Sequence, residues 1–486
     1  MNALQFTAGH LPGLRADEVA WQTLPFSRRN TRVEVAVPVL QPAQMTALAR
    51  RVKAAARDHL QTMTVSALVD VVDQMIARLL DRSDPVRRQM EEVLPVISGY
   101  DAEMVRLGLT TCFKTFRAPQ LHRFLAEDFG NPKLLDEFQP RPKGGAARAC
   151  GPALLVHSWS GNVPALPLWS LVCGLLVKAG SVGKLPSAEP LFASLFARLL
   201  AEVHPPLADC LAVVWWKGGD TEQAAALYAE ADTVLAYGSN ASLEQIGRAL
   251  PVTTRFLPHG HKLGFGLVAR AALDARRAPA TARLAALDVV RYDQQGCYSP
   301  HVYYVERGGR VSPGEFAQQL AGELANLEHR FPRRALDLEE SAGVAAWRQA
   351  GELDGLSARG GTLVGDADAP WGVTCSEVLQ PLSPTPTQRS VQVVAVDALE
   401  AAIALVAPQR RHLQTVGIAA APAELVRLAG LLAEAGATRI AAIGAMTAPE
   451  AGWHHDGRFS LLDLIRMVDI EQSAETAAEA FAPYAD

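Results

Sequence analysis

Between Gly151 and about Arg270, short runs of apolar residues alternate with longer amphipathic segments. The runs are typical of strands and the segments between them of helices. Strands are predicted at 152–157, 180–184, 211–216, 232–237 and 252–257. Strands that are almost wholly apolar and separated by helices indicate a parallel sheet covered on both faces. This pattern constrains the fold most strongly, because such sheets bind ligands at the carboxyl ends of their strands.

The flanking regions have other patterns. Residues 42–128 repeat apolar positions at helical spacing, and residues from about 288 to 472 return to an α/β pattern. We therefore expect the following division. It comprises a helical N-terminal region with a cofactor-binding domain at 1–270, an arm near 139–148, a catalytic domain at 271–450 and a C-terminal segment at 451–486.

Composition excludes several classes of protein. With 486 residues, of which 49% are hydrophobic and 20% charged, the chain is a folded globular protein of about three domains. A net charge of −5 without a long basic run argues against nucleic-acid binding. The longest apolar stretch, Val163 to Val177, contains prolines and is too short for a membrane span. No secretory signal or C-x-x-C motif is present, so we expect a cytoplasmic protein without a zinc site.

Two short segments suggest chemistry. Gly238-Ser239-Asn240 follows a predicted strand and precedes a helix, where backbone amides can hold a pyrophosphate or Ser239 can simply cap the helix. Cys297 follows a glycine before an apolar strand, where backbone amides can receive an oxyanion. Cys297 is therefore the best candidate nucleophile, with a structural role as the alternative. The other five cysteines lie inside helical or strand runs and are expected to be inert.

A set of motifs in fixed order extends over residues 40 to 475. They are HSWSGNVPALPLW, GKLPSAEP, WWKGG, YGS, PHGHKLGF, DQQGCYSP, LQTVGI and HHDGRFSLLDLIRMVDIE. As a set they resemble the aldehyde dehydrogenase superfamily and, within it, the acyl-CoA reductases of the LuxC type. The resemblance implies an α/β fold like that of aldehyde dehydrogenases. That fold has a Rossmann-type cofactor domain, an α/β catalytic domain and an oligomerisation arm.

The resemblance also implies catalytic roles. Cys297 corresponds to the nucleophile, and the side-chain amide of Asn162 corresponds to the group that holds the thioester oxygen together with the Cys297 backbone amide. The segment Pro258–Lys262 lacks the glutamate with which aldehyde-oxidising relatives activate water. Loss of that base preserves an acyl-cysteine and favours thioester chemistry. His259 or His261 could replace the base, although both are more typical of loop residues.

Cofactor contacts follow from the same resemblance. Lys184 matches the lysine that binds the adenosine ribose, Gly238 and Ser239 match the pyrophosphate turn, and Glu377 matches the glutamate that binds the nicotinamide ribose. A solvated charge at a helix end is the alternative for Glu377. Ser187 stands where NAD-preferring relatives often have a glutamate, which would repel a 2′-phosphate, so the expected cofactor is NADPH.

The C-terminal segment Trp453–Arg458 contains two adjacent histidines and an aspartate. Their spacing is not that of a zinc site, so a substrate contact or a turn is expected and no metal.

The expected function is NADPH-dependent reduction of a fatty acyl thioester, from acyl-CoA or an acyl-protein, to the aldehyde through an acyl-cysteine. The alternatives are NAD(P)-dependent aldehyde oxidation, a non-catalytic acyl-binding subunit of a multienzyme complex, and a cysteine acyltransferase or hydrolase that uses no nucleotide. The expected partners are an acyl-protein synthetase and further copies of the chain, in a homo-dimer or homo-tetramer. Chain length and the natural acyl donor stay undetermined at this level.

Overall fold

The computed structural model describes residues 3–356, 361–366 and 368–483. Residues 4–39 form a three-stranded sheet in the order β1-β3-β2, for which the sequence analysis predicts no strands. Its strands are β1 (Leu4–Thr7), β2 (Ala20–Arg28) and β3 (Thr31–Val39). Val33, Val35 and Val37 are fully buried and alternate with the less buried Glu34 and Ala36, as expected for a strand with one face on the core.

Helices follow, as predicted for residues 42–128. They are α1 (Pro42–Ala55), α2 (Val65–Leu80), α3 (Pro85–Ser98), α4 (Ala102–Lys114) and α5 (Ala118–Phe129). The side chains of Thr64, Asp84 and Asp101 each accept a hydrogen bond from a backbone N–H in the first turn of a helix. Such caps satisfy amides that have no partner within the helix. Two short strands come next, β4 (Gln139–Pro140) and β5 (Ala146–Cys150).

The predicted parallel sheet has five strands in the order β10-β9-β6-β7-β8. Its elements are β6 (Leu154–Ser158), α6 (Leu166–Leu176), β7 (Gly180–Lys184), α7 (Phe192–Val203), α8 (Pro205–Ala208), β8 (Leu211–Val214), α9 (Thr221–Tyr228), β9 (Thr233–Tyr237), α10 (Asn240–Ala249) and β10 (Arg255–His259). After β6 the chain adds β7 and β8 on one side, and it then returns to add β9 and β10 on the other side. Strand order therefore reverses between β6 and β9, which is where ligands bind in open parallel sheets.

A second sheet has seven strands in the order β13-β14-β15-β12-β11-β16-β17, and only β13 is antiparallel to its neighbour. Its elements are β11 (Leu263–Val268), α11 (Arg277–Val290), β12 (Pro300–Glu306), α12 (Pro313–Arg330), α13 (Leu338–Leu356), β13 (Gly361–Val364), β14 (Gly372–Ser376), β15 (Ser390–Val396), α14 (Leu399–Val406), β16 (Leu413–Ala419), α15 (Pro422–Ala435) and β17 (Arg439–Ala442). Because β11 belongs to this sheet, the chain passes from one sheet to the other at 260–262. The predicted boundary at 270 lies just after that strand.

The last elements are β18 (Arg466–Ile470) and α16 (Gln472–Glu479). β18 pairs antiparallel with β5, and β4 pairs with the other edge of β5. The predicted arm at 139–148 is therefore part of a small sheet with β18, and its role in association stays a prediction. The predicted C-terminal segment 451–486 is described as far as residue 483. In the described part of the chain, no helix combines the length and apolarity that crossing a membrane requires.

Candidate active site

The carboxyl edge of the five-stranded sheet faces the amino edge of the seven-stranded sheet. β10 ends at His259, and β11 begins only a few residues later at Leu263, so the two edges lie close together. Between them is a cavity of about 1060 Å³, here called the central cavity. This volume is just above the range of roughly 300–1,000 Å³ found for small-molecule sites.

The central cavity brings several predicted residues together. Cys297, Asn162, Gly238 and Ser239 all line it. One wing is apolar and is lined by helix α4 and the start of α6. Its side chains include Met104, Leu107, Phe116, Leu166 and Trp169. The described lining residues include no aspartate and no glutamate.

Cys297 lies directly after a loop with an unusual backbone. Tyr292, Asp293 and Gln294 have φ angles of 49°, 49° and 63°, which are left-handed values that side chains other than glycine rarely adopt. The neighbouring residues Thr387 to Arg389 are also left-handed. Such strain persists only where surrounding contacts fix the chain, and it is concentrated at functional sites.

A buried ion pair supplies those contacts. Nε of Arg389 donates to Oδ1 of Asp293 at 2.7 Å, and the two side chains are 0% and 1% exposed. Arg389 also binds Glu328 at 2.6 Å. The amide of Gln294 bonds to both the backbone N–H and the carbonyl of Ser390. The loop before Cys297 is therefore held against the chain before β15.

Asn162 reaches the same loop from the first sheet. Its Nδ2 donates to the carbonyl of Gln295 at 2.6 Å, and its Oδ1 accepts from the hydroxyl of Ser160 at 2.6 Å. The hydroxyl of Tyr100 donates to the Asn162 carbonyl at 2.7 Å. These bonds fix the Asn162 amide against the loop that precedes Cys297, and its role toward the thioester oxygen stays a prediction.

The Cys297 thiol has two side-chain neighbours. Its Sγ lies 3.9 Å from Nε2 of His455 and accepts a hydrogen bond from Nε2 of Gln414 at 3.5 Å. Burial, with a smaller contribution from the negative charge of Asp456, raises the pKa of Cys297 to about 11. The resting group is therefore a thiol, and it needs a base before it can attack.

His455 belongs to a stack of rings. Its ring centroid is 4.3 Å from that of His259, whose Nδ1 bonds to Oδ2 of Asp456 at 2.7 Å. Nε2 of Gln414 donates to the other Asp456 oxygen at 2.7 Å. Burial would raise the pKa of Asp456, but the bond from His259 and the nearby positive charges lower it below its usual value. Burial lowers the pKa of His455 to about 3, and the charge of His259 adds to this effect.

The candidate ligand atoms of His259, His455 and Asp456 lie within 4.8 Å of one another. His259 and Asp456 are hydrogen-bonded to each other, and the rings of His259 and His455 are stacked. The sequence analysis expects no metal here, and that expectation stays a prediction. The sequence analysis predicts only a turn or substrate contact for His455, because pairing with Cys297 spans 158 residues and leaves no local pattern.

The predicted cofactor residues at the first sheet lie at carboxyl ends of strands. Lys184 ends β7, and its ammonium lies 5.3 Å from the ring of Trp216, with no ion pair to a carboxylate in the described part of the chain. Burial lowers the pKa of Lys184. The exposed Ser187 accepts a bond from Nε1 of Trp215 at 3.1 Å. Ser239 caps α10 by accepting from the Ser242 amide at 3.2 Å.

Glu377 lies elsewhere. Ser376 pairs with Val394, which pairs with Tyr304, so Glu377 is at the carboxyl edge of the second sheet. Cys297 comes before Pro300, the first residue of β12. At a rise of about 3.3 Å per residue, the start of β12 is roughly 16 Å from the level of Glu377 along the strand direction. The Glu377 carboxylate binds Arg307 at 2.9 Å and does not line the central cavity. The geometry therefore does not support Glu377 as the nicotinamide-ribose ligand.

Solved structures resemble this fold throughout their length. The aldehyde dehydrogenase KauB from Pseudomonas aeruginosa has a TM-score of 0.74 at 16% identity, covering 96% of both chains. Aldehyde dehydrogenase 21 from Physcomitrella patens has a TM-score of 0.73 at 11% identity, covering 97% of this chain and 99% of its own. The described chain therefore has the aldehyde dehydrogenase fold, as predicted.

Sequence relatives are more specific. A long-chain acyl-protein thioester reductase from Photorhabdus luminescens is 27% identical over 394 residues, covering 78% of this chain and 77% of its own. One from Vibrio harveyi is 23% identical over 424 residues, with coverages of 85% and 84%. A family model described as acyl-CoA reductase (LuxC) matches residues 60–467. That match covers most of the sequence, and the chain therefore belongs to the LuxC family of acyl-CoA reductases.

Proposed function

We propose that the protein is a cytoplasmic enzyme that reduces a fatty acyl thioester to the aldehyde through an acyl-Cys297 intermediate, with NADPH as reductant. One observation carries the choice of reaction. The described residues that line the central cavity include Cys297 but no aspartate or glutamate, so the glutamate with which aldehyde-oxidising relatives activate water has no carboxylate counterpart in this lining. Loss of that carboxylate favours reduction of the acyl-cysteine over its hydrolysis.

In the first step, Sγ of Cys297 attacks the carbonyl carbon of the thioester. Negative charge develops on the carbonyl oxygen, and the amide of Asn162 and the Cys297 backbone amide donate to it. The hydrogen bond from Asn162 to Gln295 holds this amide against the loop that carries the nucleophile, and both residues line the central cavity. Collapse of the tetrahedral intermediate releases the donor thiol and leaves the acyl group on Cys297.

The apolar wing of the central cavity suits the hydrocarbon part of the substrate. Phe116 and Trp169 pack edge to face with ring centroids 5.4 Å apart, and both side chains line this wing. Each methylene moved from water into such surroundings contributes about 0.8 kcal/mol. A long acyl chain can therefore supply much of the binding energy, in keeping with the long-chain substrates named for the relatives.

A dinucleotide fits the carboxyl edge of the first sheet. Lys184 is a mostly buried cation without a carboxylate partner in the described chain, which suits a polar or anionic ligand. A Cβ atom placed on Gly238 would have no atom of a non-adjacent residue closer than 3.6 Å, so the backbone at this position is accessible to a ligand. Ser187 places no negative charge at this edge, and we propose NADPH on that ground. The bound cofactor would supply the hydride that reduces the acyl-cysteine to a hemithioacetal.

The donor thiol is either CoA or the cysteine of an acyl-protein, and the names of the relatives favour the latter. We propose an acyl-protein synthetase as the partner that delivers the acyl group.

Product analysis tests the reaction. Purified protein with a long-chain acyl-CoA and NADPH should yield free aldehyde and CoA in equal amounts, and Cys297→Ser should yield neither. Aldehyde with NADP and no thiol should give little acid. Rapid formation of acid from aldehyde would instead show an oxidising enzyme. Absence of NADPH binding by calorimetry would favour an acyltransferase or a non-catalytic subunit.

A further inference from the structure

The proposed reaction needs a group that removes the proton from Cys297, and one side chain is placed to do so. Nε2 of His455 lies 3.9 Å from the sulfur, at the buried end of the ring stack. We propose that His455 is a catalytic residue that carries protons to and from Cys297, and that Asp456 and His259 position its ring. This inference rests on the proposed function, because it assigns the proton path of that same reaction.

Other neighbours of the thiol are poorer bases. Gln414 has an amide that does not titrate, and it donates to the sulfur. The Asp456 carboxylate is already engaged, with a bond from His259 to one oxygen and from Gln414 to the other. The amine of Lys262 lies 3.9 Å from that carboxylate, so its charged partner is Asp456 and not the sulfur. Only His455 presents a ring nitrogen within reach of the sulfur in the described chain.

The ring of His455 is held from several sides. The rings of His259, Trp453 and Tyr237 lie 4.3, 4.6 and 5.9 Å from it, centroid to centroid. Asp456 fixes His259 and itself has a φ of 55°, a left-handed value that costs energy in a residue other than glycine. Strain in the backbone next to His455 is consistent with a segment folded to place these side chains.

Cys297 and His455 are both uncharged in the resting site, so proton transfer between them has to accompany attack of the sulfur on the acyl carbon. With its pKa lowered to about 3, His455 is neutral at physiological pH and can accept a proton. With a pKa of about 11, Cys297 keeps its proton until an acyl thioester is bound. The titratable groups that face His455 are Cys297, His259, Asp456, Lys262 and Tyr237. The nucleophile is therefore dormant without substrate, which protects the thiol from other electrophiles.

The proton balance closes over the cycle. As the Cys297 sulfur bonds to the acyl carbon, its proton passes to Nε2 of His455, and the bond from the acyl carbon to the donor sulfur breaks. His455 then gives this proton to the departing thiolate. Once the acyl group is reduced, for which the bound cofactor would supply the hydride, the hemithioacetal oxyanion re-forms a carbonyl, aldehyde leaves, and Cys297 departs as a thiolate. One proton from solvent, passed through His455, restores the thiol.

The test measures acyl transfer without reduction. Wild type and variants are mixed with a long-chain acyl-CoA in the absence of NADPH, and the acyl adduct is followed by mass spectrometry. His455→Gln and His455→Ala should slow adduct formation by about 10²–10⁴-fold, the range for loss of a general base. Added imidazole should restore part of the rate in His455→Ala. His454→Ala is the matched control, since this neighbour is exposed and should acylate at the wild-type rate.

The outcomes separate this proposal from the proposed function. Wild type that forms no acyl-Cys297 would refute the proposed function itself. Normal acylation of wild type together with near-normal rates in both His455 variants would overturn the role of His455 alone. Slow variants that imidazole does not rescue would show a structural role and also overturn it. If neither variant folds, acylation of wild type in D₂O decides: a slower rate supports proton transfer, and an unchanged rate contradicts it.

Discussion

Replacing Arg389 with methionine should destabilise the protein and disturb the nucleophile loop. Arg389 and Asp293 are 0% and 1% exposed, so the change leaves a carboxylate buried without its cation. Breaking a buried pair in this way typically costs about 3–5 kcal/mol. The backbone N–H of Arg334 still donates to Asp293 at 3.2 Å, which places the expected loss near the lower limit.

The matched control is Arg307→Met. Arg307 binds the exposed carboxylates of Glu377 and Asp397, and exposed pairs of this kind contribute about 0–1 kcal/mol. Urea denaturation followed by tryptophan fluorescence gives the free energy of unfolding of both variants. Arg389→Met should lose at least about 2 kcal/mol more than the control.

Arg389→Met should also slow acylation of Cys297, because the loop Tyr292–Gln295 loses its anchor. A displacement of about 1 Å at a reacting group can reduce the rate by about 100-fold. Equal stability of Arg389→Met and Arg307→Met, or wild-type acylation in a clearly destabilised Arg389→Met, would refute the claim that this ion pair holds the loop in place.

Three further predictions address other parts of the molecule. Ser187→Glu should weaken the binding of NADPH by roughly tenfold or more through charge repulsion and leave the binding of NADH little changed. Fluorescence titration with each cofactor checks this, and an equal loss of affinity for both would contradict it. Burial raises the pKa of Glu189 to about 7 despite the bonds it accepts from two backbone amides. The folded state then holds the proton more tightly than the unfolded state, so the free energy of unfolding should fall as the pH rises from about 4.5 to 7. Glu189→Gln should remove this fall, which thermal midpoints measured across the same pH range would show. The protein should sediment as a dimer or tetramer, and Met467→Asp on the exposed strand β18 should favour the monomer; a monomeric wild type at micromolar concentration would contradict this.

The parallel sheet was predictable because its strands are buried on both faces and so appear as apolar runs. The N-terminal sheet also left a pattern, since valine recurs at every second position from Val33 to Val39. That strand was nevertheless missed, because the weakly apolar β2 beside it is mostly exposed. Cys297 and Asn162 were predicted from short local motifs, and both line the central cavity.

Other parts of the site depend on contacts between distant segments. Glu377 follows a strand whose direction places it at the far edge of the sheet, and direction is not encoded in the short motif around it. His455 meets Cys297 only because the C-terminal segment returns across both sheets. The pairing of Asp293 with Arg389 joins residues 96 positions apart, and each alone is an ordinary charged residue.

The central claim is that Cys297 carries the acyl group and that this group is then reduced. Protein loaded with a long-chain acyl-CoA without NADPH should be digested and its acylated peptide identified by mass spectrometry. We expect a single acyl group on Cys297 and its quantitative release as aldehyde when NADPH is added. An acyl group on another cysteine, or release as free acid after NADPH addition, would contradict the account.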